Sequence, residues 1–177
     1  MSKQVTPDAG AEVDPELFTR VTQFYNHEAE LLNQREFGDW LGLVTQDIQY
    51  VVPIRVSREA GNETDEFSTG AQHLNENFEE LEERVTRFNK EYAWSENPPS
   101  RIRRFVTNIM PERTKDDISA TSSVLLYRSL RDKDEADILS AVREDELVEV
   151  DGELRIDDRT VYLDNTKIPT KNFAFFI

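Results

Sequence analysis

The feature that most constrains this chain is a change of period near residue 100. Upstream, apolar residues recur mainly at three- and four-residue steps. Downstream they alternate with polar ones and are rich in β-branched and aromatic side chains. Strands are therefore expected at Arg101 to Glu112, Ile118 to Leu130, Ala136 to Val150 and Leu154 to Asp164. Asp151-Gly152 suits a tight turn between the last two, since Gly accepts the positive φ such turns need. Residues 131–135, Arg-Asp-Lys-Asp-Glu, read as a charged hairpin tip. The pair Asp157-Asp158 interrupts the alternation between Ile156 and Val161, which marks a place for a β-bulge.

The first half is mainly helical. Residues 1–13 show no periodicity and read as a mobile arm. Asp14-Pro15-Glu16 then supplies a capping side chain, Pro at the first helical position and an acid in the first turn. Leu17, Phe18, Val21, Phe24, Tyr25, Leu31 and Leu32 continue as one stripe, so a helix is expected over 15–34. Phe37, Trp40, Leu41 and Val44 suggest a shorter second helix. From Ile48 to Val56 the period is two, a strand in which Pro53 places one side at an edge. Residues 57–70 read as a surface loop. Leu74, Phe78, Leu81, Val85, Phe88 and Tyr92 form the clearest helical stripe, ended by Asn97-Pro98-Pro99-Ser100. This order predicts one α+β domain over 14–177, a strongly curled, mostly antiparallel sheet wrapped around helices as a cone.

Composition narrows the function. The 177 residues suffice for one core, and ten Phe and five Tyr can fill it. A net charge of −15 disfavours nucleic acid and anionic membrane as partners, and no apolar run is long enough to cross a bilayer. With no secretory signal either, a cytoplasmic location is expected. No Cys is present, which excludes disulfides, thiolate nucleophiles and a cluster held by this chain's own thiolates.

Candidate chemistry is sparse. His27 and His73 lack the spacing of a metal centre, and each has a Glu three residues on, Glu30 and Glu76, in the manner of surface helix partners. Glu28 falls inside the apolar stripe and so needs a counter-charge, with an Arg of the sheet favoured over a general-acid role. Asp47, His27, Tyr50 and Tyr25 are raw material for proton abstraction in a cone-shaped pocket, as in a small dehydratase or isomerase. The stretch from Glu144 to Asp158, eight acids against Arg155, reads as a solvated face able to steer a basic partner. At the end, Phe173, Phe175, Phe176 and Ile177 form an apolar segment expected to pair with the sheet and to serve as an interface.

Several of these runs resemble one family in order and spacing. They are Phe24-Tyr25-Asn26-His27-Glu28-Ala29-Glu30-Leu31-Leu32, Trp40-Leu41 and Asp47-Ile48-Gln49-Tyr50-Val51-Val52-Pro53-Ile54-Arg55. Further runs are Arg104-Phe105-Val106-Thr107-Asn108-Ile109, Leu125-Leu126-Tyr127-Arg128, Asp151-Gly152-Glu153-Leu154-Arg155-Ile156 and Arg159-Thr160-Val161-Tyr162-Leu163-Asp164. With the ending Lys171-Asn172-Phe173-Ala174-Phe175-Phe176, the chain resembles the small β subunits of aromatic-ring-hydroxylating dioxygenases from about residue 17 onward. The resemblance implies the fold of scytalone dehydratase and ketosteroid isomerase, and an assembly of three α and three β subunits. It also implies a Rieske [2Fe-2S] cluster, a mononuclear Fe(II) and the arene pocket, for a substrate such as naphthalene or biphenyl, in the α subunit. For this chain it implies no catalytic residue, no metal ligand and no bound cofactor.

Overall fold

The computed structural model of the chain describes residues 14–56, 66–95, 100–115, 117–129, 136–168 and 175–177. Helix α1 spans Pro15–Gln34. The Asp14 carboxylate accepts from the backbone N–H groups of Glu16 and Leu17 at 3.0 and 3.1 Å, satisfying two of the donors that a helix start leaves open. Its buried residues, Leu17, Val21, Tyr25, Glu28 and Leu32, follow one another by fours and one three, the stripe of an amphipathic helix. A single turn, α2, covers Phe37–Leu41. Val44, grouped by spacing with that helix, instead opens strand β1, Val44–Arg55.

Strand β2, Phe67–Glu76, occupies part of the expected loop and takes Leu74 from the expected helix. Leu74 lies four residues before Phe78, so it fits a helical stripe by spacing alone, yet it pairs with Val52 of β1. Helix α3 starts only at Phe78 and runs to Ser95. Its start is set by a capping box: Asn77 Oδ1 accepts from the Glu80 N–H at 3.1 Å, and the Glu80 carboxylate accepts from the Asn77 N–H at 2.9 Å. The His73 and Glu76 pair therefore sits on a strand, not on a helix face.

Four long strands complete the fold: β3 Arg101–Arg113, β4 Ile118–Ser129, β5 Ala136–Val150 and β6 Glu153–Leu163. Between β5 and β6, Asp151 at φ 53° and Gly152 at φ 84° make the expected tight turn. The described strands form one sheet in the order β2-β1-β6-β5-β4-β3. Neighbours are antiparallel except β1 and β6, which run parallel. Pro53 is thus not on an edge strand; it sits at a register shift against β2, beyond Val51, the last β1 residue paired with β6. A bulge spares the ladder the N–H that Pro lacks.

Curling comes from further irregularities. On β6 Asp157 is the extra residue of a bulge, since Leu147 pairs with Ile156 while Glu146 pairs with Asp158. On β3 the ladder to β4 slips between Thr107 and Met110, where Asn108 takes φ 51°. Each bulge adds local twist, and together they bend long strands around the helices. The free edge at β3 is partly covered by α1, from which Asn33 Oδ1 accepts the Arg104 N–H at 3.0 Å.

The inner face of this sheet and the helices share one core. Trp40 stacks on Phe176 with ring centroids 4.2 Å apart, and Phe37, Tyr50 and Phe88 meet the same ring at their edges or at a tilt. Phe175, Phe176 and Ile177 keep only 1%, 0% and 2% of their surface exposed, and they do not form a strand. The chain's own core covers this apolar ending, which corrects the expectation that these three side chains form an interface between subunits. Phe173, the proposed arm at 1–13 and the charged tip at 131–135 lie outside the described residues.

Two outcomes check this packing. Leu81→Asp, at a site with no exposure, should lower stability by about 3 kcal/mol or more, while Glu83→Gln on the exposed side of α3 leaves the thermal midpoint unchanged. Phe176→Ala should cost about 3–5 kcal/mol in denaturant titrations, and a loss near zero would remove Phe176 from the core.

Candidate functional site

The inward positions of β5 carry an unexpected pair. Alternation along the strand sends Leu139, Ala141, Arg143, Asp145 and Leu147 into the core, so a base and an acid enter an otherwise apolar row. On β6 the row Leu154, Ile156, Arg159, Val161 and Leu163 behaves alike, with the bulge at Asp157 setting which face Arg159 takes. Glu28 of α1 lies opposite and is 1% exposed, while Arg143 and Asp145 keep 1% and 2% and Arg159 none.

These four side chains bind one another, with Arg143 Nη2 left as a buried donor that has no partner among the described residues. Arg159 Nη1 and Nη2 donate to the two oxygens of Glu28 at 2.5 and 3.2 Å, and Arg159 Nε and Nη2 donate to the two oxygens of Asp145 at 2.8 Å each. Arg143 Nη1 donates to Glu28 Oε2 at 3.0 Å and its Nε to Ser122 Oγ at 3.2 Å, while its guanidinium lies 4.8 Å from the Tyr25 ring centre. Trp40 Nε1 gives Glu28 another bond, at 3.1 Å, and the Tyr25 hydroxyl donates to Asp145 at 2.8 Å. Formal charges cancel, two acids against two bases, as a buried ionic cluster requires.

Protonation follows from this geometry. Burial works against the Glu28 carboxylate, yet the Arg159 and Arg143 guanidiniums outweigh it and hold its pKa at about 2. Burial, with the Asp145 carboxylate beside it, pushes the Tyr25 phenol well above its ordinary value, so Tyr25 stays a donor. Tyr50 is raised too, chiefly by burial, and its hydroxyl donates to the Ile177 backbone oxygen at 2.9 Å and accepts the Ile177 N–H at 3.0 Å. Arg104 Nε and Nη2 of β3 meanwhile clasp the Phe176 carbonyl at 3.0 and 2.7 Å, and Arg159 Nη1 reaches the Ile177 oxygen at 3.4 Å, so the tail is tied by its backbone to β3 and to the cluster.

The set Asp47, His27, Tyr50 and Tyr25 does not converge. His27 and Asp47 are exposed, and the two buried hydroxyls are engaged with Ile177 and Asp145. Glu28 does find its counter-charge on the sheet, with two arginines where one was expected. The acidic stretch is largely solvated as anticipated, with Asp145 the exception because it faces inward. Among the described residues no group of three or more His, Asp or Glu side chains is arranged to hold a metal, and no helix is long and apolar enough to cross a membrane.

The cluster sets an acid limit on the fold. Because the folded Glu28 pKa lies below the ordinary 4.5, its stabilisation is complete above about pH 4.5 and is lost as pH falls through about 2. That shift amounts to roughly 3 kcal/mol. Glu28→Gln should lower stability at pH 7 by about 3–5 kcal/mol, since it leaves an uncompensated buried guanidinium, and should flatten the fall between pH 4.5 and 2. Urea midpoints recorded across that range check both parts.

With this geometry in hand, the relatives fall into place. The chain is 33% identical over 172 residues to the benzene 1,2-dioxygenase subunit beta of Pseudomonas putida, across 94% of this chain and 91% of that one. Its fold superposes on a chain of naphthalene 1,2-dioxygenase with indole bound in the active site, with TM-score 0.82 and 27% identity over 95% of this chain and 89% of that one. At the level of fold alone it is similar to a protein described as a scytalone dehydratase from Novosphingobium aromaticivorans, with TM-score 0.63 and 11% identity over 88% and 89% of the two chains. The family described as ring hydroxylating beta subunit matches residues 27–170, and the chain belongs to it.

Proposed function

We propose that this chain is the non-catalytic β subunit of the terminal oxygenase of a Rieske non-haem iron dioxygenase, and that it supports an α subunit which carries out cis-dihydroxylation of an arene. The observation that carries this reading is the filled cone. Where an enzyme of this fold would keep an open pocket with free acid and base groups, Trp40, Tyr25, Tyr50 and Phe176 occupy the interior, and Glu28, Asp145, Arg143 and Arg159 neutralise one another. A carboxylate held by two guanidiniums near pKa 2 has little basicity left to abstract a proton. The free-standing dehydratase or isomerase is accordingly not favoured.

On this reading the Rieske [2Fe-2S] cluster, the mononuclear Fe(II) and the substrate pocket all belong to the α subunit, and three α chains assemble with three β chains in the cytoplasm. Benzene and naphthalene, named in the relatives, indicate an aromatic hydrocarbon as the substrate class. This chain contributes a rigid body whose interior is complete before any partner docks.

Co-expression with a large oxygenase subunit from the same source tests the assignment. The two chains should co-purify in equal amounts with iron confined to the complex, and the β chain purified alone should contain no stoichiometric iron. Iron retained by the lone chain, or turnover of an arene without the larger partner, would contradict it.

A further inference from the structure

The turn between β5 and β6 carries a peptide bond unlike any other in the chain. Asp151-Gly152 is the one Asp-Gly pair of the sequence, Asn-Gly does not occur, and every other Asp or Asn is followed by a residue with a side chain. The difference is chemical, because a backbone nitrogen can attack the side-chain carboxyl carbon of the residue before it. A Cβ on the attacking residue obstructs that approach, and glycine has none. The space around Gly152 is open as well: a Cβ at this position would meet no atom within 4 Å.

The local structure leaves the reacting groups accessible. Asp151 and Gly152 are both exposed, and the Asp151 carboxylate has no hydrogen bond or ion pair among the described residues. At φ 53° Asp151 stands in the left-handed region, which Asp visits at some cost. Two contacts hold the turn closed against that cost. Val150 pairs with Glu153 at its base. From α1, Arg20 Nη2 donates to the Gly152 carbonyl at 2.8 Å, and Arg20 Nη1 donates to the Glu149 carboxylate at 2.8 Å. For the Asp151 carboxyl carbon to face the Gly152 nitrogen, the Asp151 backbone must rotate, which swings the Gly152 peptide and breaks its bond to Arg20.

We propose that Asp151 is a site of spontaneous isoaspartate formation and that Arg20 is the residue that restrains it. The Gly152 nitrogen bonds to the Asp151 carboxyl carbon, and its hydrogen leaves with the carboxyl hydroxyl as water, closing a succinimide ring. Water then adds to either ring carbonyl. Opening at the side-chain carbon restores Asp151. Opening at the main-chain carbon breaks its bond to the Gly152 nitrogen, so the chain afterwards runs through the former side chain. One water leaves and one returns, and the mass is unchanged. The product carries an extra methylene in the backbone of a two-residue turn, which no longer matches the Val150 and Glu153 pairing or the reach of Arg20. The modification goes beyond the β-subunit reading and does not depend on it.

Ageing the purified full-length chain in warm neutral buffer decides it, with isoaspartate located by electron-transfer fragmentation of proteolytic peptides and the fold followed by circular dichroism. Isoaspartate should build up at 151 ahead of every other Asp and Asn. Arg20→Gln should hasten it about three- to tenfold, the weight of one exposed hydrogen bond in the opening of the turn. Arg55→Gln, which removes ion pairs at the far end of β6, should leave the rate unchanged and so separates a general loss of stability from loss of the Arg20 clasp. Gly152→Ala should remove most of the product. A folded wild-type chain that stays unmodified while the same chain in urea is converted, or one modified first at another residue, would overturn the site. An Arg20→Gln chain that ages no faster than wild type, or no faster than Arg55→Gln, would overturn the role of Arg20.

Discussion

The interaction on which the rest of the molecule depends is the grip of Arg143 and Arg159 on Glu28. It joins the first helix to β5 and β6 across 115 and 131 residues of sequence, and through Asp145 and Tyr25 it closes on itself. In net stability such a cluster competes poorly with hydrocarbon of the same volume, because desolvation cancels most of the attraction. What it supplies is uniqueness of register. Slipping β5 or β6 by one residue would turn a guanidinium outward and strand the Glu28 charge in the core, an error no apolar row would penalise so heavily.

That grip also decides what the cone can do. The same architecture occurs in a protein described as a scytalone dehydratase, and fold alone does not select between an occupied and an open interior. Here the choice is made by side-chain volume and charge balance. A stacked Trp40 and Phe176 fill the space, and every buried charge of the cluster has an opposite within hydrogen-bond reach. The concave side of the sheet is thereby filled by the chain's own side chains.

Much of this was legible in the sequence. The long helix at 15–34, the four strands after residue 100, the Asp151-Gly152 turn and the bulge at Asp157 were all predicted by periodicity and turn chemistry, because each is a local effect. Strand β2 was not, since Leu74 fits two periods at once and only the Asn77–Glu80 capping box separates them. Glu28 could be singled out as a charge on an apolar stripe, but its partners required knowing which strand faces met α1. A signal was available: Arg143 and Asp145 occupy the inward phase of β5, where opposite charges among Leu139, Ala141 and Leu147 imply a buried pair. The apolar ending suggests an interface from sequence alone because its composition is the same whether the cover is the core or another chain.

One feature of the topology bears on how the molecule comes into being. From β3 to β6 the chain is a meander in which every pairing is between consecutive strands, so its contacts close short loops and can form early. Strand β1 is different, since Gln49, Tyr50 and Val51 must find Asp158, Arg159 and Thr160, more than a hundred residues away and in parallel orientation. That long loop carries the largest closure entropy among the described pairings, which predicts that β1 is captured late. The order of assembly that follows is a nascent meander, then capture of β1 with α1 as Glu28 meets its two arginines. Until that capture the inner face of β6 stands open, and the interval in which it does so is when this subunit is most exposed to misassembly.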